Sequence, residues 1–140
     1  GRKATFFEGD EAEVTHVDFT DPYCETMRQR AMVAARQANV PFAEGGVYAA
    51  VQGPRLETSA EINRLERDGA TMVGMTGMPE AVLARELGLC YATIAVIANY
   101  AAGRGTSQHG IQFSDLDAVL CPAMEHVRLI LEQMVAIDGD

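Results

Sequence analysis

Leu89–Ala98 reads Leu-Cys-Tyr-Ala-Thr-Ile-Ala-Val-Ile-Ala, almost wholly apolar and without the in-and-out alternation of a half-buried strand. Such a run is expected of a strand covered on both faces by helices, since neither side then meets water. Its core, around Ala92–Ala98, is far too short to cross a bilayer. Helices to cover it are legible on both sides. Asp21-Pro22 reads as a helix start, aspartate as cap and proline in the first turn, for a helix carrying Met27, Ala31, Val33 and Ala34 to about Asn39. A second helix opens at Thr58-Ser-Ala-Glu61, a capping box, carries Ile62 and Leu65, and stops at Gly69. Pro79 opens a third, with Val82, Leu83 and Leu87, ended by Gly88. The last runs from near Ser114 to about Val135, its inner stripe Val119, Ala123, Val127, Ile130 and Met134, and Pro122 should kink or interrupt it.

Between these helices lie short runs of strand character, Val47–Gln52 and Thr71–Met75, with Thr5-Phe6-Phe7 and Val14–Phe19 weaker candidates near the start. The order strand–helix–strand–helix–strand–helix predicts an α/β chain, three layers of helix, sheet and helix around a largely parallel sheet. Ligands of such sheets bind outside the carboxyl ends of the strands. Three segments should converge there: Gln52–Thr58, Met75–Glu80 and Asn99–Gly110.

With 140 residues, 48% of them hydrophobic, the chain suits one domain with a buried core. Eleven Lys and Arg against twenty Asp and Glu give a net charge of −9, which repels nucleic acid and anionic membrane surfaces. Cys24, Cys90 and Cys121 are odd in number and form no CxxC pair, and the first residues lack a signal peptide's apolar stretch. The cysteines are therefore expected to be reduced thiols in a cytoplasmic protein. No HExxH, P-loop or dinucleotide fingerprint is present. Cys121, Glu125 and His126 can share a helix face, but they read as a thiol beside surface polar groups rather than as metal ligands, and no metal or cofactor is expected.

The strongest pattern is Gly53-Pro-Arg-Leu-Glu57-Thr-Ser-Ala-Glu61, then Gly74-Met-Thr76-Gly-Met-Pro79-Glu80, then Ala98-Asn99-Tyr100. It resembles the trimeric purine nucleoside phosphorylases and their 5′-methylthioadenosine and 5′-methylthioinosine phosphorylase relatives, whose motifs read GPxFE(T)xAE and GM(S/T)xxPE. His16-Val-Asp-Phe and Tyr23-Cys-Glu-Thr-Met-Arg fit the segment before the family's preceding helix. The resemblance implies that residues 1–140 are the C-terminal portion of one such domain, incomplete without the N-terminal part that supplies most phosphate contacts. It implies phosphate as co-substrate, a homotrimer and purine salvage.

Phosphorolysis breaks the glycosidic bond through an oxocarbenium-like sugar while the purine departs with negative charge. Donors aimed at N7 and O6 stabilise that charge. Asn99 offers an amide that donates to O6 and accepts from a protonated N7. Glu57 accepts from N1–H of hypoxanthine or guanine but faces a bare lone pair in adenine, and the aspartates of adenine-specific relatives are missing from Asn99-Tyr100-Ala101. Each side chain has a plainer alternative, a strand-end cap for Asn99 and a dipole-favoured carboxylate for Glu57. Met75 and Thr76 resemble the ribose-contacting pair, with core packing as the alternative for Met75. Tyr48 stands at a ribose-binding tyrosine position, and Leu56 where relatives place a phenylalanine against the purine. Arg55 and Glu80 are expected only to hold loops through ion pairs.

The 5′ end decides the substrate. Where relatives acting on ordinary nucleosides carry a histidine, this chain has Phe113-Ser-Asp-Leu116, so Leu116 implies an apolar pocket suited to a methylthio group. His16 matches the histidine that reaches the neighbouring subunit's site, while His109 could restore a hydroxyl partner. The expected reaction is 5′-methylthioinosine plus phosphate to hypoxanthine and 5-methylthioribose 1-phosphate. The alternatives are a general inosine/guanosine phosphorylase, or a non-catalytic fragment that binds purine or forms subunit contacts.

Overall fold

The computed structural model describes residues 3–9 and 13–137. Helix α1 spans Glu25–Gln37, strand β1 Tyr48–Ala50, helix α2 Ser59–Arg67, strand β2 Met72–Gly74, helix α3 Glu80–Glu86 and helix α4 Leu116–Ile137, with single 3-10 turns at Gly105–Ser107 and Phe113–Asp115. β1 and β2 pair in parallel, Tyr48 beside Met72 and Ala50 beside Gly74, and α2 forms the connection between them. Beyond the ladder, Val51 donates to the Gly74 carbonyl at 2.9 Å and the Thr71 hydroxyl accepts from Val47 N–H at 2.9 Å.

Local chemistry explains the helix ends. The Thr58 hydroxyl accepts from Glu61 N–H at 3.2 Å, and the Glu61 carboxylate accepts from Thr58 N–H at 2.7 Å, a complete capping box. α1, α2 and α3 all end in the same way. The residue two past the cap donates back to a carbonyl five residues earlier, Val40 to Ala35, Ala70 to Leu65 and Leu89 to Ala84, each at 2.9–3.0 Å. The turn needs one left-handed residue, supplied by Gly69 at φ +94°, Gly88 at φ +68° and, in α1, Asn39 at φ +53°. α1 begins three residues later than Asp21-Pro22 suggests. The Arg85 guanidinium holds the Asp21 carbonyl, and Cys24 N–H goes to the Tyr91 carbonyl at 2.7 Å, so 21–24 is tied outward before the helix starts.

The core is built where α1 crosses α4. Ala34, Ala35, Val40 and Ile130 are buried together, with Ala38, Ile94, Met134 and Ile137 packed against them. Alanines on α1 let the two helices approach closely. Of the predicted stripe of α4, Ile130 is buried and Ala123, Val127 and Met134 half-buried, while Val119 is 40% exposed. Pro122 lies inside α4 without ending it. No helix of the described residues is long and apolar enough to cross a membrane.

Several expectations need correction. Residues 89–98 form no strand ladder among the described residues, and neither Thr5–Phe7 nor Val14–Phe19 is a strand. Leu89 and Ile97 are 61% and 64% exposed, so the apolar run is covered by α1 and α4 on one side rather than on both faces. Pro79 stands at the cap position of α3, one residue before its first turn. Cys24 and Cys90 are joined in a disulfide, because the start of α1 lies against Tyr91, with Cα atoms 5.2 Å apart. Spacing in sequence hid this, since 66 residues separate the pair. Tyr23 and Tyr91 stack beside it, their centroids 6.1 Å apart. Cys121 is a free, exposed thiol.

Three outcomes are expected. Replacing Thr58 by alanine should lower stability in urea melts by about 1 kcal/mol, while serine retains most of it. The Arg55 guanidinium and the Thr58 N–H hold the Glu61 carboxyl down to about 2, so its stabilising effect is complete above about 4.5 and lost as pH falls through about 2. The stability gap between wild type and Glu61→Gln should accordingly narrow over that window. Reduction of Cys24–Cys90 should cost about 4 kcal/mol in the chain-entropy model for a loop of this length, read as a midpoint shift in melts with and without dithiothreitol. An unchanged midpoint argues against the pairing.

Candidate active site

The three segments expected at the strand ends meet around one cavity of about 580 Å³. Leu56 and Glu57 enter from the turn before α2, Met75 from the end of β2, and Asn99–Ala101, Arg104 and Gly105 from the loop after the apolar run. Ile62 and Leu65 of α2 and the consecutive residues Val96, Ile97 and Ala98 make the wall apolar, and Ile111 also lines it. The combination of apolar walls with a carboxylate, an amide and a guanidinium suits a flat heterocycle with polar edges.

Glu57 is half-buried and directly precedes the α2 cap, where the helix dipole favours a carboxylate. Its neighbour Arg55 is turned away and forks onto Glu61, at 2.9 and 2.8 Å, as expected of a loop-holding residue. This fork fixes the backbone on either side of Leu56 and Glu57. Met75 packs over Gly53, where a Cβ would overlap its sulfur. Gly53 thus lets the thioether lie against the turn. Asn99 lines the cavity, and one N–H of its amide donates to the Tyr100 carbonyl at 2.7 Å. The amide has a second N–H and a carbonyl oxygen.

Tyr48 and Thr76 belong together but not to this cavity. The Tyr48 hydroxyl accepts from Thr76 N–H at 3.2 Å and lies 3.3 Å from the Thr76 Oγ1. The ring reaches Thr76 across Gly74, where an added Cβ would overlap the phenol hydroxyl. Tyr48 instead lines a neighbouring cleft of about 450 Å³ between α1, α4 and residues 92–97. His16 is exposed in the irregular segment before α1 and His109 is exposed on the loop, and neither lines the cavity. Leu116, half-buried at the start of α4, also lies outside its lining, and Phe113 is 67% exposed. The apolar contribution from this part of the chain comes from Ile111. Near Cys121 and His126, Glu125 is engaged by Arg128.

Sequence reading passed over Arg104 and Glu66, both of which line the cavity. Arg104 donates to Glu66 at 2.6 Å and to Asn63 Oδ1 at 2.8 Å. The available signal was the helical spacing of Ser59, Asn63 and Glu66, which places three polar residues on one face of α2.

The chain is similar to known proteins over nearly its whole length. The family model described as the phosphorylase superfamily matches residues 1–136. A protein of Pseudomonas syringae pv. tomato named probable S-methyl-5′-thioinosine phosphorylase is 49% identical over 136 residues, covering 97% of this chain and 54% of that protein. The 6-oxopurine nucleoside phosphorylase of Pyrococcus furiosus is 49% identical over 107 residues, 73% of this chain and 40% of that protein. The methylthioadenosine phosphorylase of Schistosoma mansoni, solved in complex with adenine, superposes with a TM-score of 0.88 at 28% identity, over 99% of this chain and 55% of that one. The chain therefore spans about half the length of the relatives it matches.

The Tyr48–Thr76 link is directly testable. Gly74→Ala should drive the Tyr48 ring off Thr76 and destabilise the protein by about 1–3 kcal/mol, whereas Tyr48→Phe on the wild-type background should cost about 1 kcal/mol for the hydrogen bonds alone. Equal losses in urea melts would show that the ring is not held across Gly74.

Proposed function

Since the chain belongs to the phosphorylase superfamily, we propose that it forms the C-terminal portion, with the base- and sugar-binding residues, of an enzyme that cleaves 5′-methylthioinosine with phosphate, giving hypoxanthine and 5-methylthioribose 1-phosphate. The observation that carries this reading is the meeting of Glu57, Met75 and Asn99 on one cavity. The names of relatives at 49% identity support the 6-oxopurine class.

In the proposed reaction a phosphate oxygen bonds to C1′ as the C1′–N9 bond breaks, and its electron pair leaves with the purine. Asn99 donates its second N–H to O6, where charge develops, and its carbonyl accepts from protonated N7. Glu57 accepts from N1–H, a contact that adenine does not offer, so an adenine base leaves a polar group unpaired. Met75 gives the sugar an apolar, polarizable face, and Leu56 covers the base with less stacking area than an aromatic ring would. Thr76 and Tyr48 stand outside the lining of the cavity, their hydroxyls 3.3 Å apart, and take no part in the proposed reaction. Ile111, which lines the cavity where Leu116 does not, makes the methylthio end apolar. Phosphate is the co-substrate and no cofactor takes part. The protein works as a homotrimer, with His16 serving the site of an adjacent protomer; its exposure outside the cavity is compatible with that role.

A methylthio group in an apolar pocket contributes about 1–2 kcal/mol, so the intact protein should prefer methylthioinosine over inosine about 5- to 30-fold in kcat/KM. A strong inosine preference overturns that assignment in favour of a general 6-oxopurine nucleoside phosphorylase. Asn99→Ala should lower kcat about 10²- to 10³-fold. The 140 residues alone should show no phosphate-dependent hypoxanthine release, and measurable release would contradict the need for a companion portion.

A further inference from the structure

We propose that Arg104 is a positioning residue that sets the spacing between Asn99 and Glu57, by fastening the loop after Asn99 onto the polar face of α2. The inference rests on the 6-oxopurine reading of the site. Asn99 ends a segment that belongs to no strand ladder among the described residues, so no neighbouring strand fixes where its amide lies. Glu57, by contrast, is set by the capped start of α2. Something must hold the first against the second.

The loop is built to do so. Gly103 N–H donates to the Ser107 carbonyl at 3.1 Å, Ser107 N–H to Arg104 at 2.8 Å, and Arg104 N–H to Ala101 at 3.0 Å, a tight turn around the buried Ser107. Gly105 lies under the Tyr100 ring, where a Cβ would come within 2.7 Å of ring carbons. Gly103 meets the first turn of α2, where a Cβ would stand 2.6 Å from Ser59 Oγ. From this turn the Arg104 guanidinium reaches along the same helix face to Asn63 at 2.8 Å and Glu66 at 2.6 Å. Ser59, Asn63 and Glu66 follow the i, i+4, i+7 spacing of one helix stripe, so the loop grips nearly the whole length of α2.

Exposure identifies what the clamp does. The Arg104 and Glu66 side chains are 33% and 65% exposed, and a pair that open to water adds little stability. Two bonds from one guanidinium nitrogen, Nη2, to two side chains of one helix do fix its direction. Its consequence falls on the site, where a shift of roughly 1 Å in a binding group is worth up to about 10²-fold.

The test measures dissociation constants of the intact protein for hypoxanthine and adenine by calorimetry. Arg104→Gln should weaken hypoxanthine about 30-fold and adenine less than about threefold, and the exchange Arg104→Glu with Glu66→Arg should recover hypoxanthine binding to within about fivefold. Asn63→Ala, at an exposed helix position, and Glu66→Gln should move hypoxanthine in the same direction should Arg104→Gln not fold. Unchanged discrimination in these variants, an equal loss for both bases, or no recovery in the exchange overturns the positioning role. A wild-type protein that does not prefer hypoxanthine removes the 6-oxopurine reading itself, and that outcome is visible before any variant is made.

Discussion

The start of α2 carries the most consequence for the least material. Four backbone N–H groups emerge there without helical partners, and the reciprocal bonds of Thr58 and Glu61 take up two of them. Arg55 then forks onto the same Glu61, so the stretch from Arg55 to Thr58 is held at both ends by one carboxylate. The residues in between, Leu56 and Glu57, have little freedom left, and they border the cavity. The same helix buries Ile62 towards that cavity and presents Ser59, Asn63 and Glu66 to the loop after Asn99. One capped helix thus joins two segments that lie about forty residues apart in the chain, as the Arg104–Asn63 separation of 41 shows.

The other half of the scaffold is a different kind of contact. α1 meets α4 through its alanines against Ile130, Met134 and Ile137, and the disulfide with its stacked tyrosines ties the head of α1 to the run that leads to Asn99. Small side chains permit close approach but bury little area each, and among the described residues no large side chain is fully enclosed. Much apolar surface remains open on residues 89–97 and on α4, in a chain about half as long as the relatives it matches. Support for the site therefore comes from specific polar fastenings and a covalent link more than from a large sealed core.

The legible and the hidden parts of the molecule divide by distance along the chain. The capping box, the glycine stops after α2 and α3, both strands and the meeting of three loops were readable, because each depends on residues within a turn or two, or on the topological rule for strand ends. The same locality failed at Asp21-Pro22. The residues have cap chemistry, but a guanidinium from Arg85 and a carbonyl from Tyr91 hold that segment outside the helix. It failed again for Leu89–Ala98, whose composition says that its sides avoid water and says nothing of which partners are there to cover them. Tyr48 was readable as a residue of interest; that its hydroxyl is spent on Thr76 across Gly74 was not.

Sequence by itself determined the α/β order, where helices begin and end, and which residue types stand at the strand ends. Local backbone satisfaction and hydrophobic period decide these within a few residues. Tertiary structure alone decided that Cys24 reaches Cys90, that His16 and Leu116 stand outside the cavity while Glu57, Met75 and Asn99 line it, and that Arg104 grips α2. Each of these is a meeting of groups far apart in the chain, and such meetings are fixed by how helices and loops pack in space, which no local preference encodes.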